Sequence, residues 1–407
     1  MADLGSAAVA ALIFCLTYFV VAVGRLPGFR LDRAGAALLG ASLMVAFGPL
    51  SLEEAYRAIN LDTIVLLLGM MIVVANLRLS GFFALANAWV ARHAHHPLAL
   101  LLGVTLVSGI LSAVLVNDTV CLMLTPLVAQ LAKDQRRNPL PYLLAIAMAS
   151  NIGSAATITG NPQNMMIGSF SQIPYLSFAA ALTPISAMGL AVLVAALALA
   201  FPGEFLRGGR LEAEIPPPSV RKALLWKSLA ATGGMVAAFF LGQPPAKVAI
   251  IAGALLLVTR RVKPARIYRE IDWSLLVLFA GLFIVVAGLE KAILTPDLVA
   301  RAGSLHLESV PVLAGVSAVL SNILSNVPAV LVLRPFITVL QDPTTGWLVL
   351  AMASTLAGNF TILGSIANLI VVQGARSQRI EIGFWAYFRV GAPVTLITIA
   401  FGVFWLL

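Results

Sequence analysis

The chain has 407 residues, of which 60% are hydrophobic and 11% are charged. Its mean hydropathy of +0.99 excludes a soluble globular domain. The formal net charge is +9, and in so apolar a chain this basic excess is expected in cytoplasmic loops rather than in a nucleic-acid interface. Cys15 and Cys121 both fall in apolar stretches, so neither a disulfide framework nor a thiolate metal site is indicated.

Apolar runs of about 18 or more residues recur along the chain and predict an all-α polytopic membrane protein. We expect full spans near residues 7–24, 33–50, 61–79, 140–169, 177–201, 223–241, 245–259, 273–290, 345–373 and 384–406. The first is interpreted as a retained span because it lacks a basic leader and a cleavage site. Two other apolar stretches, 98–133 and 309–340, carry polar residues at their centres and are predicted to be re-entrant hairpins with tips near mid-membrane.

The loop charges predict how these spans are oriented. If the N-terminus is outside, nearly all lysines and arginines fall in loops that face the cytoplasm, as the positive-inside rule requires. We therefore expect a protein of the cell inner (plasma) membrane with its N- and C-termini outside. The hairpin at 98–133 then opens on the cytoplasmic side, and the hairpin at 309–340 opens on the outer side.

The two halves of the sequence resemble each other. VSGILSAVLVNDTVCLMLTP (107–126) matches VSAVLSNILSNVPAVLVLRP (316–335), and AMASNIGSAATITGNPQNMMI (147–167) matches AMASTLAGNFTILGSIANLIV (351–371). Each half would have five spans and one hairpin, and because five is odd, the second copy must be inverted. The predicted fold is therefore an inverted repeat, with repeats at 1–202 and 223–407 and a proline-bearing cytoplasmic linker at 203–222. Stretches 81–96 and 294–306 are expected to lie along the two membrane interfaces.

Two of the predicted spans are interrupted by polar residues and glycine, and the first also by proline. Gly160-Asn161-Pro162 cannot continue a membrane helix, and the duplication of Gly and Asn in the second half favours a binding site over a simple proline kink. A broken helix exposes amide donors at one end and carbonyls at the other, and a hairpin tip would face each break. The predicted substrate- and ion-binding residues are Asn117, Asp118, Thr119, Thr157, Thr159, Gly160, Asn161, Asn164, Ser325, Asn326, Thr361, Gly364, Ser365 and Asn368.

The pattern G-x-x-A-T-x-x-G-x-P-x-N, which runs from Gly153 to Asn164, resembles that of the divalent anion:sodium symporter family. More broadly it resembles the ion transporter superfamily, which includes ArsB-type arsenite carriers and NhaD-type sodium/proton antiporters. In the symporters, Ser-Asn-Thr at each hairpin tip holds sodium and the substrate carboxylates. Here only Asn117 and Asn326 match at both tips, and the Asn117-Asp118 pair is similar to the arsenite carriers. The resemblance implies Na⁺ near Asn117, Asp118, Gly160, Asn326 and Gly364.

Two charged residues near the tips have open interpretations. A carboxylate at mid-membrane usually marks a cation or proton pathway, so Asp118 is a candidate for exchanging H⁺ against Na⁺ or substrate. Alternatively, Asp118 only holds the tip by hydrogen bonds. Arg334 could meet an anion, or its long stem could extend to the outer interface.

The sequence thus predicts a secondary active transporter that moves a small, anionic solute by alternating access, coupled to H⁺ or Na⁺. Arsenite or other metalloid efflux, Na⁺/H⁺ antiport and a passive channel are the alternatives. No nucleotide-binding P-loop or H-E-x-x-H motif is present, and no enzymatic activity or cofactor is expected apart from the coupling ion. The expected partners are the solute, the lipid bilayer and a second copy of the chain in a homodimer, without nucleic acid.

Overall fold

The computed structural model describes residues 4–24, 31–205, 218–260, 262–293 and 306–407. The regular elements of these ranges are helices, and a short 3-10 turn lies at Ile362–Gly364. In chain order the α-helices are α1 (Leu4–Val23), α2 (Arg33–Ala46), α3 (Leu52–Ala58), α4 (Leu61–Ser80), α5 (Phe82–His93), α6 (Pro97–Val114), α7 (Asn117–Asp134), α8 (Pro139–Ser154), α9 (Pro162–Ser171), α10 (Tyr175–Ala200), α11 (Pro202–Phe205), α12 (Lys222–Phe240), α13 (Pro245–Leu257), α14 (Pro264–Tyr268), α15 (Trp273–Ile293), α16 (Val310–Leu324), α17 (Asn326–Ile337), α18 (Pro343–Ala357), α19 (Ile366–Ser377) and α20 (Phe384–Leu406).

Within the described ranges, seven helices are long and apolar enough to cross a membrane: α1, α4, α6, α10, α12, α15 and α20. Their lengths follow from uninterrupted apolar sequence, since about 20 helical residues cross the hydrocarbon layer. The prediction of an all-α polytopic membrane protein is confirmed.

Some helix lengths differ from the predicted spans. The stretches 33–50 and 245–259 were expected to be full spans, but α2 and α13 have only 14 and 13 residues. At about 1.5 Å per residue, each is roughly 20 Å long, shorter than the hydrocarbon layer of about 30 Å. Gly48-Pro49 comes just after Phe47, the C-terminal cap of α2, and prevents continuation of the helix. Conversely, the hairpin arm α6 has 18 residues, about 27 Å, which is more than half a membrane.

Both predicted interruptions are present. The first break separates α8 from α9 at residues 155–161, and the second separates α18 from α19 at residues 358–365. Each helix after a break begins with a polar cap, because Asn161 Oδ1 accepts from the Asn164 amide (2.8 Å) and Ser365 Oγ accepts from the Ala367 amide (3.2 Å). Pro162 follows Asn161 at the first helical position, where a missing amide hydrogen costs nothing.

The two hairpins also form, by α6–α7 and by α16–α17. Each turns within one or two residues, at Leu115-Val116 in the first and at Ser325 in the second. Ser325 has φ +78°, a conformation that is uncommon for residues other than glycine. Each hairpin packs against the broken span that follows it in the sequence.

The helices pack in two groups, and contacts in one half have counterparts in the other. In the first group α2 packs on α15 as α13 packs on α4, and α1 packs on α15 as α12 packs on α4. In the second group α6 packs on α8 as α16 packs on α18, while α10 packs on α20. Helices of the first half thus pack on α15 of the second half, and the corresponding helices of the second half pack on α4 of the first. A twofold repeat requires such reciprocal contacts. The inverted orientation of the copies in a membrane and the domain boundaries stay predictions.

Two glycines show the same correspondence at atomic detail. A Cβ added to Gly281 would lie 2.6 Å from the Ala37 carbonyl carbon, and a Cβ added to Gly69 would lie 2.5 Å from that of Ala249. Only glycine therefore allows α15 to approach α2, and α4 to approach α13, at these points. This backbone-to-backbone packing fixes the two short helices against long ones.

Two ion pairs connect α4 and α15 reciprocally. The end of α15 pairs with the segment before α4, and the end of α4 pairs with the segment before α15. Lys291 bonds to Glu54 at 2.5 Å, and Arg78 pairs with Glu270. The hydrogen bond from Lys291, together with that from the Ser51 amide, lowers the pKa of Glu54 to about 2. Of the predicted interfacial stretches, 81–96 contains α5. The stretch 294–306 and most of the linker 203–222 lie outside the described residues.

Candidate functional site

Both hairpin tips and both breaks meet at one cavity of about 40 Å³. Asn117 and Asp118 line it from the first tip, and Ser325 and Asn326 line it from the second. The two broken spans contribute four residues, at or beside the starts of α9 and α19, and the first helix group contributes four more. These are Pro162, Gln163, Ser365 and Ile366, followed by Val21, Arg33, Leu275 and Leu278. The cavity therefore lies where the two helix groups face each other.

Four helices of the second group begin at this cavity: α7, α9, α17 and α19. The first amides of a helix have no intrahelical partner and carry a partial positive charge. Side chains cap α9 and α19, whereas α7 and α17 have no side-chain cap hydrogen bond. The uncapped helices are those of the two hairpin tips, so the partial positive charge of their N-termini is suited to an anion, although the Asn117 amide of α7 already donates to the Gly160 carbonyl.

The tip asparagines bring acceptors to the same place. Asn117 and Asn326 are only 4% and 8% exposed, and within the described part of the chain neither Oδ1 atom has a hydrogen-bond partner. Asn117 is oriented by its Nδ2, which donates to Asn151 Oδ1 (3.1 Å), and by its backbone amide, which donates to the Gly160 carbonyl (3.0 Å). A buried amide oxygen without a partner is costly, and a hydroxyl or a cation in the cavity would satisfy it.

Asn151 connects the two halves beside the cavity. Its Nδ2 donates to Asn359 Oδ1 (2.9 Å) and Asn368 Oδ1 (3.1 Å). Its Oδ1 accepts from Asn117 Nδ2 and from Ser365 Oγ (3.0 Å). One fully hydrogen-bonded side chain thus holds the first tip, the first broken span and the second break together.

Asn164 and Asn368 hold the breaks. Asn164 Nδ2 donates to the carbonyls of Ser154 (3.2 Å) and Thr157 (3.0 Å). Asn368 Nδ2 donates to the carbonyls of Gly358 (2.7 Å) and Thr361 (3.1 Å), which occupy the corresponding positions of the second half. Neither asparagine lines the cavity. Their bonds replace those that an unbroken helix would have made.

Most of the other predicted site residues also support the breaks rather than line the cavity. Thr157 Oγ1 donates to the Ala113 carbonyl, and Thr159 Oγ1 lies 2.8 Å from the Tyr175 hydroxyl. A Cβ on Gly160 would lie 2.2 Å from the Ser154 carbonyl oxygen, so only glycine fits there. Of the fourteen predicted residues, those lining the cavity are Asn117, Asp118, Ser325, Asn326 and Ser365; those outside its lining are Thr119, Thr157, Thr159, Gly160, Asn161, Asn164, Thr361, Gly364 and Asn368.

Two charged side chains line the cavity from opposite sides, Asp118 from the first tip and Arg33 from the start of α2. Arg334 does not line it. The Arg334 guanidinium instead lies 4.4 Å from the centre of the Phe170 ring, a cation–π contact. The described residues contain no group of three His, Cys, Asp or Glu side chains that could hold a metal ion. The sodium site near the tip asparagines stays a prediction.

The sequence interpretation omitted four residues of this site: Asn151, Asn359, Gln163 and Arg33. Asn151 corresponds to Thr355, and Asn359 corresponds to Ala155, so neither asparagine is duplicated between the halves. The presence of an amide side chain within an apolar run is the sequence signal that could have identified them. Arg33 comes from a distant helix, and nothing in the sequence connected it to the tips.

A family model described as "Citrate transporter" matches residues 13–357. The "46 kDa membrane protein" of Mycobacterium leprae is 32% identical over 95% of this chain and 96% of its own length. The silicon efflux transporter LSI3 of Oryza sativa subsp. japonica is 29% identical over 99% of this chain and 98% of its own. The crystal structure of the Alcanivorax borkumensis YdaH transporter superposes with a TM-score of 0.61 at 16% identity, covering 98% and 95% of the two chains. This structural likeness concerns the fold.

Proposed function

The chain belongs to the citrate transporter family, and we propose that this membrane transporter is a secondary active carrier of a small anionic solute. The proposal includes alternating access, coupling to H⁺ or Na⁺, and an inner-membrane location with both termini outside. A homodimer is part of the same expectation. The observation that carries the proposal is one cavity at which four helices of the second group begin and which is lined by two asparagines whose Oδ1 atoms have no partner among the described residues.

The two kinds of group at the cavity suit opposite charges. Helix N-termini stabilise an anion, and the Oδ1 atoms of Asn117 and Asn326 would accept a hydroxyl hydrogen or coordinate a cation. The site therefore suits an anion bound together with a cation. Asp118, in the first turn of α7, adds a charge that a proton or Na⁺ would neutralise, and this links solute binding to the coupling ion.

Efflux of a neutral metalloid hydroxide is the second candidate. A cavity of about 40 Å³ holds only a few water-sized groups, so a solute with few heavy atoms fits it better than a tricarboxylate in this conformation. The hydroxyls of silicic or arsenous acid would donate to the asparagine oxygens and accept from the helix amides. The name of the rice relative, a silicon efflux transporter, agrees with this class of solute.

Transport by the purified protein in proteoliposomes tests the proposal. Citrate, phosphate, sulfate, arsenite and silicic acid are offered in turn, with and without gradients of Na⁺ or H⁺. We expect gradient-driven uptake of one anion and trans-stimulation by the same anion in counterflow. Gradient-independent uptake without trans-stimulation would indicate a passive channel. Transport of only a neutral hydroxide would favour the second candidate.

The tip asparagines provide the first residue-level prediction. Asn117→Ala and Asn326→Ala should each reduce transport by more than about tenfold, because each removes an acceptor that contacts the bound solute or ion. Ser112→Ala and Ser321→Ala are matched controls, since these serines are buried at corresponding positions of the two hairpins but do not line the cavity. Full uptake by both asparagine variants would remove these residues from the site.

A further inference from the structure

An open groove of about 1100 Å³ lies away from the central cavity, between the start of α12 and α14. Five cations line it, and we call it the basic groove: Arg221, Lys222, Lys263, Arg266 and Arg269. Among the described residues, no carboxylate lines it. Within the part of the chain that the structure describes, none of the five cations forms an ion pair within 4 Å. Cations gathered this closely repel one another unless an anion joins them.

The other half of the chain shows how such cations can be neutralised internally. Tyr56-Arg57 of the α3 segment corresponds to Tyr268-Arg269 of the α14 segment. In α3, Arg57 pairs with Glu53 at 2.6 Å, whereas Ala265 stands at the position that corresponds to Glu53. At the next position Glu54 is replaced by Arg266. Compared with the α3 segment, the α14 segment has the same arginine, no glutamate at the position of its partner and a second arginine at the next position.

The surroundings of the groove place it at the membrane interface. Lys227 of α12 donates to the carbonyls of Leu256 (3.4 Å) and Val258 (2.6 Å), so the start of α12 and the end of α13 lie at the same level. Trp226 on α12 is 70% exposed, and Trp273 at the start of α15 is 54% exposed. Exposed tryptophans concentrate at the level of lipid headgroups. The five cations beside them are therefore at the depth where lipid phosphates lie.

We propose that the basic groove binds the phosphate of an anionic phospholipid headgroup. Arginine and lysine form charge-assisted hydrogen bonds with phosphate oxygens, and basic pockets on the cytoplasmic side of membrane proteins suit such headgroups. The two walls of the groove contribute cations from different parts of the fold, Arg221 and Lys222 from α12 and the other three from the α14 segment. A bound headgroup would therefore join these two segments.

The test uses the full chain in phosphatidylcholine nanodiscs that contain phosphatidylglycerol. Bromine is placed on the acyl chains of one lipid or the other. Because the chain has six tryptophans, the part of the quenching that Trp226→Phe/Trp273→Phe abolishes reports which lipid lies beside Trp226 and Trp273. Brominated phosphatidylglycerol should quench more than brominated phosphatidylcholine at equal mole fraction. In the variant Arg221→Gln/Arg266→Gln/Arg269→Gln, the phosphatidylglycerol fraction for half-maximal excess quenching should rise on the order of tenfold to a hundredfold.

A matched control removes the same number of exposed arginines elsewhere on the predicted cytoplasmic side, in Arg376→Gln/Arg379→Gln/Arg389→Gln. This control should quench like the wild type, and Trp226→Phe/Trp273→Phe should lose the excess quenching. Equal quenching by the two lipids in the wild type would overturn the proposal, as would equal losses in the two arginine variants or excess quenching that persists without the two tryptophans. Loss of the excess quenching by brominated phosphatidylglycerol on addition of millimolar inorganic phosphate would assign the groove to a free anion instead of a lipid.

Discussion

Asn117 and Asn326 occupy corresponding positions at the two tips; each lines the cavity, and the Oδ1 atom of each has no partner among the described residues. Asn151, Asn164 and Asn368 have a different task, because their amide hydrogens are used by acceptors of the protein itself. The asparagines of this chain thus divide into those that face the cavity and those that hold the broken backbone. Their separation by role was not predictable from the sequence, since all five asparagines stand in apolar stretches of the chain.

The connecting role of Asn151 predicts a stability effect. Asn151→Ala removes four hydrogen bonds, and at about 0.6 kcal/mol for each such bond in a membrane protein the cost is about 2 kcal/mol. Asn76→Ala is a control, because Asn76 is also buried but its side chain donates only to the Ile72 carbonyl. Thermal unfolding in detergent should show a clearly larger loss for Asn151→Ala. Equal losses would mean that the network adds nothing beyond one bond.

Asp118 allows a prediction on coupling. Asp118 lines the cavity with Arg33, and Asp272 precedes Leu275 and Leu278, which line it from α15. If Asp118 carries the coupling ion, Asp118→Asn should abolish uptake driven by a Na⁺ or H⁺ gradient, while solute counterflow persists at a reduced rate. Measuring uptake and counterflow on the same proteoliposome preparation distinguishes a loss of ion coupling from a loss of solute exchange. Gradient-driven uptake at the wild-type level would assign Asp118 to holding the tip.

At the scale of elements, the breaks were predictable because Gly160, Asn161 and Pro162 oppose a continuous helix through three independent effects: loss of a donor, backbone freedom and a polar cap. The hairpins followed from polar residues at the centres of long apolar runs. The ends of α2 and α13 were readable in part, because Gly48-Pro49 follows the first and Thr259-Arg260 follows the second. The close backbone contacts of these helices at Gly281 and Gly69 were not predictable. Hydropathy measures transfer into lipid and carries no information on such contacts.

The first break should tolerate no side chain at Gly160. In Gly160→Ala the new Cβ would lie 2.2 Å from the Ser154 carbonyl oxygen, and because backbone cannot rotate away, we expect a loss of about 1–3 kcal/mol together with loss of transport. Gly315→Ala in α16 is the control, since no heavy atom lies within 4 Å of its added Cβ. That change should leave stability unaltered or raise it by up to about 1 kcal/mol. Wild-type unfolding and transport in Gly160→Ala would show that the break can shift.

At the scale of the whole molecule, the correspondence between the two halves relates two cavities, because matching residues line them. Leu278 of α15 lines the central cavity, and Leu66, at the corresponding position of α4, lines a second cavity of about 420 Å³. Asp62 and Lys247 are the charged residues of the second cavity. If the repeats are inverted, exchanging their conformations would close one cavity and enlarge the other, and this relation supports the proposed alternating access.

The inverted orientation itself predicts that corresponding residues lie on opposite sides of the membrane. Tyr56 and Tyr268 precede α4 and α15 at matching positions and are 64% and 44% exposed. In a Cys15→Ser parent, which retains only the buried Cys121, a membrane-impermeant maleimide should label Tyr56→Cys in intact cells and should label Tyr268→Cys only after permeabilisation. The unlabelled parent is the control. If labelling occurred in the reverse order, the repeats would remain inverted but the termini would face the cytoplasm. Because a parallel repeat would place both tyrosines on the same side, equal labelling of both cysteines in intact cells would contradict the inverted architecture and the alternating access that depends on it.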